Sequence, residues 1–355
     1  MVLVEIIFWF SISLIIYSTI FYPVLLNFIR SNIYVVDEKF IPEVSLIISA
    51  YNEEKNILKK LRNVDDLDYP KEKLQVILAN DGSDDRTVEI AKNFDFVNIL
   101  SLKRSGKTFA QNEAVKIAKN EILVFSDANS IYEPDAIKKL VRNFADKKVG
   151  VVCGELQYYE KKSSESLYWN YEIAIKKAES KKGWLIGANG SIYALRRKSY
   201  VPLPLDAISD HIEPIKIYGN GLDIIYESEA IAIEESPKDV LLRKRRIILR
   251  SLVSMKYLFK ELNPLRKRSI CIPYISHKLI RWFTPIFLLS IFITNSVLNN
   301  ISNFYLYIFY IQIICYLFGL MISPVRYFLQ VNFASLLAII DWLLGRKQDT
   351  WEVIR

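Results

Sequence analysis

The sequence predicts an α/β domain with a mostly parallel central sheet, bracketed by membrane-crossing helices. Three observations carry this expectation. Between about Phe40 and Glu235, short apolar stretches alternate with charged, helix-like ones. Residues 1–30 are almost uninterruptedly apolar, and the same character returns after residue 276. The composition agrees: 355 residues, 51% hydrophobic, with a mean hydropathy of +0.15, are more apolar than a wholly soluble chain of this length.

The run 2–28 carries Glu5 as its only early charge, and at about 1.5 Å per residue it is long enough to cross a bilayer of about 30 Å. It has neither a basic region before it nor a small-residue cleavage site after it. Residues 1–30 are therefore expected to be an uncleaved anchor, with Arg30 at its cytosolic end.

Residues 40–240 form the expected cytosolic domain. Strands are predicted at 44–49, 74–79, 98–102, 122–125 and 149–154, with helices at 53–63, 87–93, 107–119 and 134–145 between them. Strictly alternating strands and helices give a doubly wound sheet, which takes its ligands beyond the carboxyl ends of the strands.

Residues 241–275 begin with Arg243-Lys-Arg-Arg-Ile-Ile-Leu-Arg250, continue through the amphipathic stretch 255–262 and reach Arg266-Lys-Arg268. This pattern suits basic helices lying along an anionic membrane face. In residues 276–355, the runs 283–298 and 304–322 are expected to form a transmembrane hairpin, with Lys278, Arg281 and Arg326 on the cytosolic side. The apolar segment 324–344 contains Arg326, Gln330, Asn332 and Asp341, so a further full span is not expected there and its topology stays open.

The charge balance, 47 basic against 39 acidic residues, points to phosphorylated or lipid partners. The basic residues crowd near the apolar segments and form no aromatic-basic nucleic-acid motif, so no nucleic acid is expected. Cys153, Cys271 and Cys315 are far apart and there are only two histidines, which argues against a disulfide framework and against a His/Cys zinc site.

Three predicted strands end in polar turns that sheet geometry would bring to one rim. The first ends in Ser49-Ala-Tyr-Asn-Glu-Glu54, where Asn52 can cap a helix or the turn can receive a nucleotide. The second ends in Asn80-Asp-Gly-Ser-Asp84, with Gly82 permitting a tight turn after Asp81. The strand 122–125 ends in Ser126-Asp-Ala-Asn129, where Asp127 and Asn129 can turn toward one divalent cation of the Mg²⁺ or Mn²⁺ type.

With Ser105-Gly-Lys107, Gly187-Ala-Asn-Gly-Ser-Ile-Tyr-Ala194 and Ser209-Asp210, these motifs resemble the family 2 glycosyltransferases of GT-A fold in their order and approximate spacing. The likeness covers most of residues 42–250 and extends to the membrane layout of hyaluronan- and cellulose-type synthases. It implies that Ala50, Tyr51, Asn52, Glu53 and Asp81 hold the uridine of a UDP-sugar, and that Lys107 contacts the base or the neighbouring phosphate region. Asp127 and Asn129 stand at the metal positions, with Asn129 where many members carry Asp.

Gly187, Ala188 and Asn189 would form a floor beneath the sugars, and Trp184 would either stack on a sugar or fill core. Asp210 stands at the place of the catalytic base. An acidic residue usually precedes that base, whereas here it is Ser209, so Asp206 and Glu213 are rivals; His211 is expected on a helix surface. Arg246 falls in the segment that is Gln-x-x-Arg-Trp in processive synthases, but Arg243 and Ile247 replace the Gln and Trp, which puts processivity in doubt.

The implied protein is a multi-pass membrane enzyme with a cytoplasmic catalytic domain, an inverting mechanism, Mg²⁺ or Mn²⁺ as cofactor, and a lipid-linked or polysaccharide acceptor. A polyprenyl-phosphate glycosyl synthase and a catalytically inactive membrane scaffold are the alternatives. The sugar, the linkage and the oligomeric state stay open.

Overall fold

A computed structural model describes residues 1–159, 163–236, 239–266, 268–319 and 321–346, with side chains 163–168 outside that description. Eight strands form one sheet: β1 (Val44–Ala50), β2 (Leu74–Asn80), β3 (Val97–Ser101), β4 (Ile122–Asp127), β5 (Ile131–Tyr132), β6 (Val149–Tyr158), β7 (Ile192–Arg196) and β8 (Asp223–Glu234), in the order β3-β2-β1-β4-β7-β6-β8-β5.

The pairings β3-β2, β2-β1, β1-β4 and β6-β8 are parallel, whereas β7 runs antiparallel to both β4 and β6, and β5 antiparallel to β8. The five expected strands are present, and β5, β7 and β8 are additional. The mostly parallel sheet therefore holds, but the alternating doubly wound layout stops at β4.

Strands β1 and β4 are buried on both faces, as their mostly apolar residues allow, and buried Ser45 in β1 is held by a hydrogen bond to Gln75. Successive residues feed opposite layers. Leu46, Ile48, Ile122 and Val124 join Ile57, Leu61 and Val64 of the helix Ile57–Asp65; Ile47, Leu123 and Phe125 join Ala110 and Ala114 of the helix Lys107–Ile117. Phe125 stacks on Tyr193 of β7 with ring centroids 4.8 Å apart, which fixes the antiparallel strand against the parallel half.

The register brings the functional strand ends level: Ala50 pairs with Asn80, and Ser49 with Asp127.

Among the described residues, three helices are long and apolar enough to cross a membrane: Val2–Phe28, Cys271–Leu298 and Ser323–Leu343. The third covers the segment 324–344, whose topology the sequence leaves open. Its Asp341 is buried against Arg245 at 2.6 Å, and its Asn332 donates to the Phe328 carbonyl, so these polar groups are satisfied within the protein. The expected second hairpin arm contains the 16-residue helix Asn303–Phe318, about 24 Å long.

The N-terminal helix packs Phe8 against Ile291, Leu298 and Tyr305, and packs Tyr22 and Leu26 against Ile175 of the helix Ser163–Ser180, tying the apolar helices to the α/β domain. In the basic segment, Arg243, Lys244, Arg246 and Arg250 of the helix Val240–Ser254 line one cavity, while Leu242 and Ile247 of the same helix are exposed. Arg243, Arg246 and Arg250 follow the three- and four-residue spacing of one helical face, and Arg245 is spent on Asp341. Lys267 and Lys347, part of the basic pattern in the sequence, lie outside the described residues.

Candidate active site

The site starts at the rim of β1 and β2. Asp81, at the end of β2, is buried and accepts from the backbone N–H groups of Ser105 (2.7 Å) and Gly106 (2.9 Å) and from Arg104 (3.3 Å). Gly82, with φ of +71°, lets the loops meet: a Cβ there would stand 2.7 Å from the Arg104 nitrogen.

Arg104 also lies flat on Tyr51, 3.1 Å from the ring centroid, a guanidinium-aromatic platform beside Asp81 that the sequence reading missed. Asn52 has φ of +52°, donates its N–H to Ser83 and accepts from the Asp84 N–H; the Glu53 N–H donates to Thr87. Residues 50–53 thus form a loop knitted to the 80–87 loop, and helix begins only at Ile57.

Gly106 leads into Lys107, whose ammonium pairs with Asp127 and approaches the Gly190 carbonyl at 3.5 Å. Lys107 therefore stands at the predicted metal carboxylate. Asp210 lies across from it: a Cβ added to Gly190 would meet Asp210 Oδ2 at 2.5 Å and Lys107 Nζ at 3.2 Å. Burial pushes the Asp210 carboxyl above its ordinary range, Lys107 opposes that shift and Asp127 adds to it.

Gly187, Ala188, Asn189 and Gly190 line the same cavity, and the Ala188 N–H donates to the Asp210 carbonyl at 2.7 Å, so floor and carboxylate are one unit. Asn189 is held from both sides, donating to the Gly154 carbonyl (2.5 Å) and accepting from Lys176 (2.8 Å).

The rival carboxylates sit elsewhere. Asp206 is tied to Lys256 (2.7 Å) and Tyr257 (2.6 Å), while Glu213 is fully buried beside Tyr193, and neither lines the cavity. His211 is buried, not on the surface: it bonds the Tyr274 hydroxyl at 3.2 Å, and burial pulls it down to about 3, so it is neutral at physiological pH. Trp184 packs between core layers and does not reach the cavity, whereas Trp169 and Trp282 line it; no motif marked either.

Lys60 is the other residue the sequence reading missed. Fully buried beneath the Asp127 turn, it donates to Ser126 Oγ (2.8 Å) and the Ser130 carbonyl (2.6 Å), clamping the two ends of Ser126-Asp-Ala-Asn-Ser130. Its ring contact with Tyr132, 4.0 Å to the centroid, completes the seat.

Among the described residues, no cluster of three His, Cys, Asp or Glu side chains could hold a metal by itself. The donor set at β4 fits a different kind of site. Asp127 presents a partly exposed carboxylate to the cavity and Lys107 is a displaceable counter-charge on a flexible stem, whereas Asn129, two residues on, is not among the residues that line the cavity. One or two protein oxygens completed by phosphate and water is how Mg²⁺ is usually held.

Residues 45–202 match the family model described as Glycosyl transferase family 2. The chain carries a family 2 glycosyltransferase domain. It is 29% identical over 219 residues to the probable glycosyltransferase YdaM of Bacillus subtilis, which covers 56% of this chain and 52% of that protein. It is 32% identical over 168 residues to the poly-beta-1,6-N-acetyl-D-glucosamine synthase of Staphylococcus aureus, 44% of this chain and 40% of the relative. These matches thus span about half the length of the curated relatives, or less.

A solved mannosyltransferase from Pyrobaculum calidifontis, in complex with GDP-Man and Mn²⁺, superposes with a TM-score of 0.80 at 19% identity, covering 96% of this chain and 100% of that one. That likeness extends the shared fold beyond the family domain into the apolar helices.

Proposed function

We propose that the protein is a membrane-integrated, inverting glycosyltransferase with its catalytic domain on the cytoplasmic side, transferring a sugar from a nucleotide-sugar to a lipid-linked or nascent glycan acceptor. The convergence of Asp127, Lys107 and Asp210 around Gly190 in one cavity carries this reading. Tyr51, Arg104 and Asp81 offer a flat cationic-aromatic surface and a fixed carboxylate for a nucleoside. Ala50, Asn52 and Glu53 frame it.

A bound Mg²⁺ or Mn²⁺ held by Asp127 and Asn129 would neutralise the leaving diphosphate; the Mn²⁺ in the Pyrobaculum calidifontis complex supports this assignment. Lys107 and Arg246 supply positive charge to the same phosphates. Asp210 takes the proton of the acceptor hydroxyl as its oxygen attacks the anomeric carbon. The bond from that carbon to the diphosphate breaks, and the nucleoside diphosphate leaves with the electron pair. One displacement inverts the anomeric centre.

UDP-sugar is the expected donor from the motif set, and GDP-mannose is the specific competitor because the Pyrobaculum calidifontis structure holds it. A donor screen by thermal shift with Mn²⁺ present tests the reading. Stabilisation by a nucleotide-sugar, lost in Asp81→Ala, supports it. No stabilisation by any UDP- or GDP-sugar would refute it and favour the scaffold alternative.

A further inference from the structure

The β4–β7 ladder ends at the pair Ser126–Ile192. Past that pair the chain parts around the transfer site: β4 runs on into the Asp127 turn, and the Gly190 floor leads into β7. One bridge crosses the gap on the cavity side, where the Lys107 ammonium pairs with Asp127 and approaches the Gly190 carbonyl.

Another bridge lies beneath and is made by Glu234, at the end of β8. One oxygen of this buried side chain, Oε1, accepts from the Ser130 hydroxyl at 2.5 Å and also from the Ser191 hydroxyl. The Ser130 N–H closes the turn onto the Asp127 carbonyl, and Ser191 follows Gly190, so a single atom joins the predicted metal turn to the floor. Tyr132 reinforces the joint: its hydroxyl lies 3.1 Å from both the Phe125 and the Ser191 carbonyls and donates to one of them at a time. Hydrogen bonds from hydroxyls to a carboxylate are short and strong, and burial excludes competing water.

Glu234 is itself held in place. It pairs with Tyr158 of β6, its carbonyl accepts from the Tyr159 N–H at 3.0 Å, and the preceding Ile233 pairs with Ile131 of β5. Lys60 lies against the same turn; burial disfavours its positive charge, and Asp127 and Glu234 favour it. Ser191 lines the cavity but Glu234 does not, so Glu234 acts through its partners.

We propose that Glu234 is a positioning residue for sugar transfer, fixing the separation of Asp127 from the floor and from Asp210 once a donor diphosphate has drawn Lys107 away from Asp127. The inference rests on reading Asp127 and Asp210 as the transfer site. Donor binding changes the cavity-side bridge, because Lys107 exchanges a carboxylate for phosphate, and leaves the buried bridge with its partners. Movement of Ser191 reaches the base directly, since Gly190 packs against Asp210, whose Oδ2 lies 2.5 Å from where a Cβ on that glycine would stand.

The test compares wild type, Glu234→Gln, Ser191→Ala and the double variant as full chains in detergent. Release of nucleoside diphosphate from a panel of UDP-sugars and GDP-mannose, with Mn²⁺ and with or without polyprenyl phosphate, gives kcat and KM. Hydrogen exchange with UDP or GDP and Mn²⁺ reports the two loops without turnover. In each single variant kcat is expected to fall about ten- to a hundred-fold, with donor KM and UDP or GDP binding within about three-fold, as for reacting groups displaced by about 1 Å. Exchange is expected to quicken together in 126–131 and 187–192 and to stay unchanged in 50–54. The double variant should lose no more than Glu234→Gln alone, because one bridge is being cut twice. Should Glu234→Gln fail to fold, Ser191→Ala carries the same expectations.

An unchanged kcat in folded Glu234→Gln or Ser191→Ala would overturn the proposal. So would a loss of UDP or GDP binding as large as the loss in kcat, which would mean general damage to the domain. Coupled exchange of the two loops, with no nucleoside diphosphate released by the wild type from any donor, would keep the bridge and discard the transferase reading.

Discussion

Lys60→Met separates a clamping role for this lysine from simple core filling. The side chain is fully buried, and burial pulls its ammonium from 10.5 down to about 7, against the favourable charges of Asp127 and Glu234. In the unfolded chain the lysine keeps its ordinary value, so between about pH 7 and 10 the unfolded state binds one more proton than the folded state. Folding stability then rises with pH across that window by up to about 1.4 kcal/mol per unit.

Methionine fills similar space without titrating. It also leaves the Ser130 carbonyl and Ser126 hydroxyl without this donor, at about 1–3 kcal/mol for each group left unsatisfied. Thermal unfolding of the detergent-purified protein at pH 7, 8 and 9 should show the wild type gaining on Lys60→Met by roughly 2–3 kcal/mol from pH 7 to 9, on the order of 4–6 °C in Tm. Parallel wild-type and variant curves over that range would refute the buried, neutral lysine.

Three further outcomes follow from the site. Asp127→Ala should abolish metal-dependent turnover far more completely than Asn129→Ala, because the carboxylate supplies the charge; equal losses in a Mn²⁺ titration would contradict that division. Gly190→Ala should lower kcat by about ten-fold or more while leaving nucleotide affinity intact, since its Cβ would enter the space of Asp210 Oδ2; an unchanged kcat would contradict the packing. Burial holds the Glu213 carboxyl well above its ordinary range, so ionising it costs stability as pH rises from the carboxylate range upward; Glu213→Gln should remove that decline in Tm between pH 5 and 8.

The parallel half of the sheet was legible because its strands are written as short, mostly apolar stretches: 122–125 is wholly apolar, 74–79 is broken only by Gln75, and 44–49 only by Ser45 and Ser49. Strands β5, β7 and β8 were not. Ile131–Tyr132 has two residues, and Ile192–Arg196 sits behind a glycine-rich stretch that read as loop. Asp223–Glu234 carries Glu227 and Glu229 on its length, and Glu227 is neutralised by Arg142 at 2.9 Å from a distant helical turn.

The strand-end residues were found through motif order, and register explains why they meet. Lys60 and the cavity-lining placement of Arg243, Lys244, Arg246 and Arg250 were hidden for one reason. A basic residue at helical spacing reads as solvated or lipid-facing until tertiary structure supplies an anion, an aromatic ring or a cavity. The helix Ser323–Leu343 was underrated likewise, because the partner of Asp341 lies almost a hundred residues away at Arg245.

The most direct test of the account is sugar transfer by wild type and Asp210→Asn, with Mn²⁺, the stabilising nucleotide-sugar and a polyprenyl-phosphate-linked acceptor. The account predicts metal-dependent transfer with inversion at the anomeric carbon by the wild type. Asp210→Asn should lose at least about a hundred-fold in kcat while still binding the donor. Full turnover by Asp210→Asn, or retention of the anomeric configuration, would contradict it.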